Sequence, residues 1–308
     1  MGKTATAFSP GHITGFFQIC DGPVDPLLRG SRGAGLSISR GVKTRVNVKK
    51  SSKTSIKIRI NGHKVSSACV SERVVHSFLS YISPNGNYEV LVEHQVDIPI
   101  GAGFGSSGAG ALSLALALNE VFHTDLSKIE VAQIAHAAEV KCKTGLGTVI
   151  AETFGGIEIR TKPGAPGIGE IKHIPIKNNY VVVCLCFGPL PTGKFLSDKE
   201  IRRRIIEFGG KLTDELAENP NIDKFMEFSR KFAENVGLIT GKLRKVLDET
   251  DAVGLVCSMP MFGESIFSLI KQEFIEDLLK IFRNHASRGR GSIIISEIDF
   301  KGARLLDE

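Results

Sequence analysis

Residues 99 to 110, Pro99-Ile-Gly101-Ala-Gly103-Phe-Gly105-Ser106-Ser107-Gly108-Ala-Gly110, concentrate the residue types best suited to chemistry in this chain. Glycine tolerates positive φ and lets a ligand come close to the backbone. An apolar run, Ala109 to Phe122, follows at once and reads as a buried helix. A glycine loop feeding the unpaired N–H groups and positive dipole end of a helix is an anion site, phosphate above all. The Ser106 and Ser107 hydroxyls can add ligands for a phosphate-bound Mg²⁺. The plainer alternative is a tight strand-to-helix turn, for which two residues would suffice.

Two better-known phosphate loops are excluded. Gly103-Phe-Gly105-Ser-Ser-Gly108 fits G-x-G-x-x-G, but a dinucleotide fold needs a second strand ending in Asp or Glu roughly 20 residues on. That region is helical instead, and Ser127-Lys-Ile-Glu130 is a capping box opening the next helix. Gly188-Pro-Leu-Pro-Thr-Gly193-Lys194-Phe195 follows a strand-like run but has Phe195 in place of the Mg²⁺-binding hydroxyl. Pro189 and Pro191 also lack the N–H groups of a phosphate nest.

The elements that must position this loop alternate along the chain. Short β-like runs fill the first 60 residues: Thr4 to Phe8 leads into a turn at Ser9-Pro-Gly-His12, and Asp21 to Gly35 reads as a loop over a site. Val42 to Lys49, Ser55 to Ile60, Tyr88 to Glu93 and Thr153 to Arg160 read as strands, and Ser71 to Tyr81 as a helix. After the strand at Val181 the pattern turns mostly helical, through Ser197–Phe208, Asn221–Asn235, Leu238–Asp248 and Ile270–Ala286, and a strand at Ser292 to Ile298 closes it. The shift near residue 175 marks the expected boundary between domains at 1–175 and 176–308. His136 and Glu139, three apart on the Ser127 to Lys141 helix, share a face. Glu139 near a phosphate site could hold Mg²⁺, or be a plain surface carboxylate. Arg160 could grip a carboxylate bidentately.

The 308 residues are 42% hydrophobic, enough for one large or two medium domains. No stretch is long and apolar enough to span a bilayer, and no signal peptide opens the chain. Six scattered cysteines without a Cys-x-x-Cys pair are expected to be reduced thiols of a cytoplasmic protein. The net charge of +6 suits anionic substrates. The basic stretch Arg40 to Arg59 lacks interleaved aromatics and alternates like a half-exposed strand, so no nucleic-acid partner is expected.

With these residues in view, Pro99-x-x-x-Gly103-Phe-Gly105-Ser-Ser107 resembles the phosphate-loop motif of the GHMP small-molecule kinases. Ser9-Pro-Gly-His12 is similar to their first motif, and Ser258-Met-Pro-Met-Phe-Gly263 stands, poorly matched, where their third is expected. Within the superfamily, the segments 10–17, 30–35, Thr144-Gly-Leu-Gly147 and Pro189-Leu-Pro-Thr-Gly193 resemble the archaeal branch that phosphorylates pantoate. The resemblance implies a two-domain α+β fold, with a ribosomal-S5-like first domain and a ferredoxin-like second. It implies ATP as phosphate donor, Mg²⁺, and pantoate as acceptor at its 4-hydroxyl on the route to coenzyme A, with a homodimer by family analogy. Pro99, Gly101, Gly103, Gly105, Ser106, Ser107 and Gly108 would bind ATP. Ser107 and Glu139 would hold Mg²⁺, and Ser31, His136, Arg160 and Thr192 would contact pantoate.

One position departs from the pattern. Many members carry an aspartate, as base, seven residues before the Gly-Gly pair; here Thr148 holds that place before Gly155-Gly156. Phosphoryl transfer runs mainly on positioning and charge stabilisation, so a missing base need not abolish it. The gap leaves three readings: catalysis without a base with Thr148 positioning a hydroxyl or water, another residue such as His136 in the role, or an engineered or inactive variant. The rival functions are a GHMP kinase acting on homoserine, shikimate or mevalonate, and a non-catalytic GHMP-like binding module.

Overall fold

A computed structural model of the chain describes residues 2–82, 86–176, 179–190 and 198–307. Two long strands, β1 (Lys3–Cys20) and β2 (Gly30–Lys50), pair antiparallel along their whole length, from Lys3↔Val48 to Cys20↔Gly30. The far edge of β2 serves two partners. Val42 to Lys50 pairs with β5 (Tyr88–Val96), and Gly33 to Leu36 pairs with β6 (Ile157–Lys162). With β3 (Ser55–Ile60), β4 (His63–Lys64), β7 (Glu170–His173) and β11 (Arg304–Leu306) they form one mixed sheet. A second, antiparallel sheet has the order β10 (Ser292–Ser296), β8 (Tyr180–Pro189), β9 (Gly263–Lys271).

Helices α1 (Cys69–Ile82), α2 (Ser106–Phe122) and α3 (Lys128–Cys142) cover one part of the large sheet, and Val46, Val92, Phe78, Leu112 and Val131 share a core there. The α3 start follows the expected capping box: Ser127 Oγ accepts from the Glu130 N–H, and the Glu130 carboxylate accepts from the Ser127 N–H at 2.8 Å. The second core lies between β1 and the later elements. Phe16 packs on Phe225, Phe228 and Phe232 of α6 (Ile222–Val236), with α5 (Lys199–Glu218), α7 (Gly241–Ala252) and α8 (Ile275–Gly289) around it. Strand β11 returns from the end of the chain to pair with β1, at Thr6↔Leu306 to Phe8↔Arg304.

Several expectations are corrected. Ser9-Pro-Gly-His12 is not a turn; it lies inside β1, with a bulge between Pro10 and Gly11 that accommodates the proline's missing N–H. The loop after β1 ends at Arg29, because Gly30 to Gly35 already pair with β1. Thr153 to Arg160 is not one strand: a short helix α4 (Thr148–Phe154) breaks at Gly155 before β6 begins. The C-terminal part also holds the strand β9, where no strand was expected, and α8 starts at Ile275 instead of Ile270. The six cysteines are not all free thiols. Cys69 and Cys142 form a disulfide joining the start of α1 to the end of α3, and Cys20, Cys184, Cys186 and Cys257 are free. A separation of 73 residues, closed only by helix packing, leaves no spacing signal. No helix among the described residues is long and apolar enough to cross a membrane.

A buried polar cluster ties the first core together. His94 Nδ1 meets Thr44 Oγ1 at 2.7 Å, His94 Nε2 meets Ser71 Oγ at 3.0 Å, and Thr44 Oγ1 meets Ser113 Oγ at 2.6 Å. Burial pushes the His94 imidazole down from 6.5 to about 4, so the folded protein holds it neutral. The unfolded chain then binds the extra proton first. This contribution is complete above the unfolded value and is lost as pH falls toward the folded one. Urea midpoints of wild type and His94→Gln should therefore diverge in slope between pH 7 and about 4, the wild type losing roughly 3 kcal/mol more. Parallel pH profiles would refute it.

Candidate active site

The glycine loop enters α2 through three left-handed glycines, Gly101 (φ 72°), Gly103 (φ 89°) and Gly105 (φ 68°). Gly105 is the N-cap of α2 and makes no side-chain cap, so the first N–H groups of the helix stay open. A Cβ on Gly105 would sit 2.6 Å from the Glu152 carboxyl, 2.7 Å from Thr148 Cγ2 and 3.2 Å from His12 N. That one glycine is where β1, the loop and α4 converge. Strand β1 is held against the loop by the His12 N–H, which donates to the Phe104 carbonyl at 3.0 Å.

The loop forms one wall of a cavity of about 720 Å³. Gly101, Gly103, Gly105, Ser106, Ser107, Gly108, Glu139, Thr148 and Ser31, all expected from the sequence, line it together. Ser107 Oγ donates to Glu139 Oε1 at 2.5 Å, and Thr144 Oγ1 donates to the same oxygen at 2.6 Å. Burial raises the Glu139 carboxyl, and these two hydroxyls partly offset it. Thr148 is the first residue of α4, behind the loop. A Cβ on Gly147 would meet Ser31 Oγ at 2.0 Å and Arg160 Nε at 3.0 Å, which fixes Ser31 and Arg160 as neighbours.

The other expected residues fall outside the lining. Arg160 is 1% exposed and pairs with Glu158, and its Nε has no partner among the described residues. His136 Nε2 contacts the Pro26 carbonyl at 3.2 Å and the Arg29 carbonyl at 2.9 Å, so it pins the loop that carries Arg29. Burial lowers its pKa, against the pull of those carbonyls. Pro99 does not line the cavity, and Thr192 lies outside the described residues.

Sequence reasoning missed three groups here. His12 and Thr14 line the cavity from β1, and Glu158 lies behind them on β6. Alternation along a strand would have put His12 with Thr14, and Glu158 with Arg160, on common faces. Reading Pro10-Gly11 as a turn hid the first pair. The third is Glu152, fully buried with neither carboxyl oxygen hydrogen-bonded among the described residues. Arg29, Lys143 and Arg202 add cations at the cavity, Arg202 being paired with Asp21 at 2.5 Å.

Comparison with known proteins fits this geometry. Residues 70–156 match the family model for the GHMP kinases N terminal domain. A solved structure described as a phosphotransferase related to the CoA biosynthesis pathway superposes with a TM-score of 0.88 at 34% identity, covering 98% of each chain. The pantoate kinase of Methanocaldococcus jannaschii is 36% identical over 90% of this chain and 97% of its own. That of Thermococcus kodakarensis is 37% identical over 88% and 89%. The chain therefore belongs to the GHMP kinase superfamily. Its branch within that superfamily is the pantoate kinase family.

Burial, then the charges of Glu139 and Glu158, holds the Glu152 carboxyl well above the usual carboxylate range. A raised carboxyl stabilises the fold fully below its unfolded value and loses that stabilisation as pH rises through its folded one. Glu152→Gln copies the neutral acid without the proton. Its Tm should exceed wild type by a margin that grows from acidic to alkaline pH. A margin that shrinks with pH would show that Glu152 is an ionised structural partner.

Proposed function

We propose that this chain is an ATP-dependent kinase that transfers the γ-phosphoryl group of ATP to the 4-hydroxyl of pantoate, giving 4-phosphopantoate for coenzyme A synthesis. The observation that carries this reading is the Ser107–Glu139 pair at the open start of α2, in one cavity with Ser31 and beside Arg160. Membership of the pantoate kinase family supports the acceptor. Cytoplasmic location and a homodimer belong to the same reading.

The residues fit the donor. Ser107 Oγ and the Glu139 carboxyl are hard oxygen donors suited to Mg²⁺. Among the described residues no group of three or more His, Cys, Asp or Glu could hold a metal, so phosphate oxygens and water would complete the shell. MgATP, when bound, supplies the transferable phosphoryl group. The N–H groups of the Gly105 to Gly108 turn hold its phosphates, and Thr144 keeps the Glu139 carboxyl oriented. Arg160, backed by Glu158 and next to Ser31 and Gly147, is the group assigned to the pantoate carboxylate, with Thr192 as a further contact. His136 steadies the loop at Pro26 to Arg29 that borders this end. Thr148 positions a hydroxyl or water; its own hydroxyl is no base near neutral pH.

ATP consumption measured against pantoate, homoserine, shikimate and mevalonate tests the reading directly. Pantoate should be the preferred acceptor, and turnover confined to another acid would replace it. Ser107→Ala and Glu139→Gln should each lower kcat by on the order of 10² or more, the usual effect of losing one preorganised charge stabiliser. Full activity of Glu139→Gln at low Mg²⁺ would contradict the assignment. Arg160→Ala should raise the KM for pantoate strongly and leave that for ATP nearly unchanged, with Lys restoring only part. Equal effects on both substrates would make Arg160 structural.

A further inference from the structure

The family aspartate is replaced by Thr148, yet the cavity holds a basic group in another place. His12 is 1% exposed and lines the cavity from β1. Its Nε2 lies 2.9 Å from Glu158 Oε1, in a contact buried on both sides. A carboxylate paired with the Arg160 guanidinium only accepts, so Nε2 carries the hydrogen. That fixes the tautomer and leaves Nδ1 as an acceptor. Thr14 Oγ1 stands 3.3 Å from Nδ1, and Thr14 is half-buried and also lines the cavity. Carboxylate, imidazole and hydroxyl thus run in a line toward the cavity, an orienting acid behind a base behind a proton carrier.

The line stands where the two ends of the site meet. His12 N is one of the three contacts around Gly105, at the phosphate end. The His12 ring packs on Gly35, where a Cβ would lie 2.4 Å from Nε2. Gly35 pairs with Glu158, and Gly33 with Arg160, at the acceptor end. Glu158 of β6 meets the His12 ring, Arg160 of β6 pairs with the same Glu158 oxygen, and Glu152 of α4 shares the Gly105 corner with the His12 N–H.

We propose that His12, oriented by Glu158 and reached through the Thr14 hydroxyl, accepts the proton of the acceptor hydroxyl during phosphoryl transfer. The inference rests on the kinase reading above. The bond from the acceptor oxygen to the γ-phosphorus forms as the bond to the ADP oxygen breaks, and that electron pair leaves with ADP. The acceptor proton passes to Thr14 Oγ1 while the Thr14 proton passes to His12 Nδ1. The resulting imidazolium is held by the Glu158 carboxylate.

His12→Gln is the informative variant, because its amide N–H can still donate to Glu158 while no base remains. With ATP and pantoate, kcat should fall by roughly 10² to 10⁴, the usual contribution of a positioned base, with the KM for ATP nearly unchanged. Thr14→Val should lose activity similarly, and Thr14→Ser should recover most of it. Should His12→Gln fail to fold by circular dichroism, the Val and Ser pair at Thr14 decides alone. Wild-type turnover with an undiminished His12→Gln, or an active Thr14→Val, would each overturn this inference while leaving the kinase reading intact. A wild type inert toward every acceptor would overturn both.

Discussion

Three carboxyl groups, Glu139, Glu152 and Glu158, are buried around a loop built to attract an anion. Burying an ionised carboxylate without a partner is costly, and three near one another would repel both themselves and a phosphate. The structure resolves each case differently. Two hydroxyls cap Glu139 on the cavity side. Glu158 is shared between His12 and Arg160. Glu152 has no hydrogen-bond partner among the described residues and is held toward its neutral form. Glu139 is the one carboxyl of the three that lines the cavity, where a cation can meet it.

The backbone makes this arrangement possible. The register shifts between Pro10 and Gly11, and β1 lies so close to the loop there that a Cβ at Gly11 would sit 3.1 Å from the Phe104 carbonyl. Close approach at Gly11 and positive φ at Gly105 let one strand, one loop and the start of α4 share a single corner. The two halves of β2 then divide the work. One half pairs with β5 and supports α2 from below, and the other pairs with β6, which brings Glu158 and Arg160 to the acceptor end.

Much of this was legible in the sequence, for identifiable reasons. The loop, α2 and the capping box at Ser127 are local signals, since glycine spacing, an apolar run and Ser-x-x-Glu each act within one turn. Ser107 and Glu139 came from the family resemblance and meet at 2.5 Å. What stayed hidden depends on contacts distant in the chain. Proline and glycine inside β1 look like a turn until the β2 pairing is known. The Cys69–Cys142 disulfide needs α1 and α3 packed side by side. Arg160 looks like a lone strand-end cation, and nothing in the order of residues shows that a buried Glu158 is shared between it and His12.

Thr148 follows from the same electrostatics. Its Cγ2 methyl faces Gly105 and Gly108 on the side where the Glu152 carboxyl lies, while its Oγ1 faces Gly145 beside Glu139. An aspartate here would place another carboxylate between Glu152 and Glu139, both raised by burial already. Like charges in such a space disfavour ionisation of each other, so an added aspartate would tend to share or hold a proton. A carboxyl that stays protonated cannot act as a base. A methyl and a hydroxyl fill the same position without that conflict. A base that becomes charged only after the proton arrives is better placed beside a carboxylate that can stabilise the cation, and His12 stands beside Glu158.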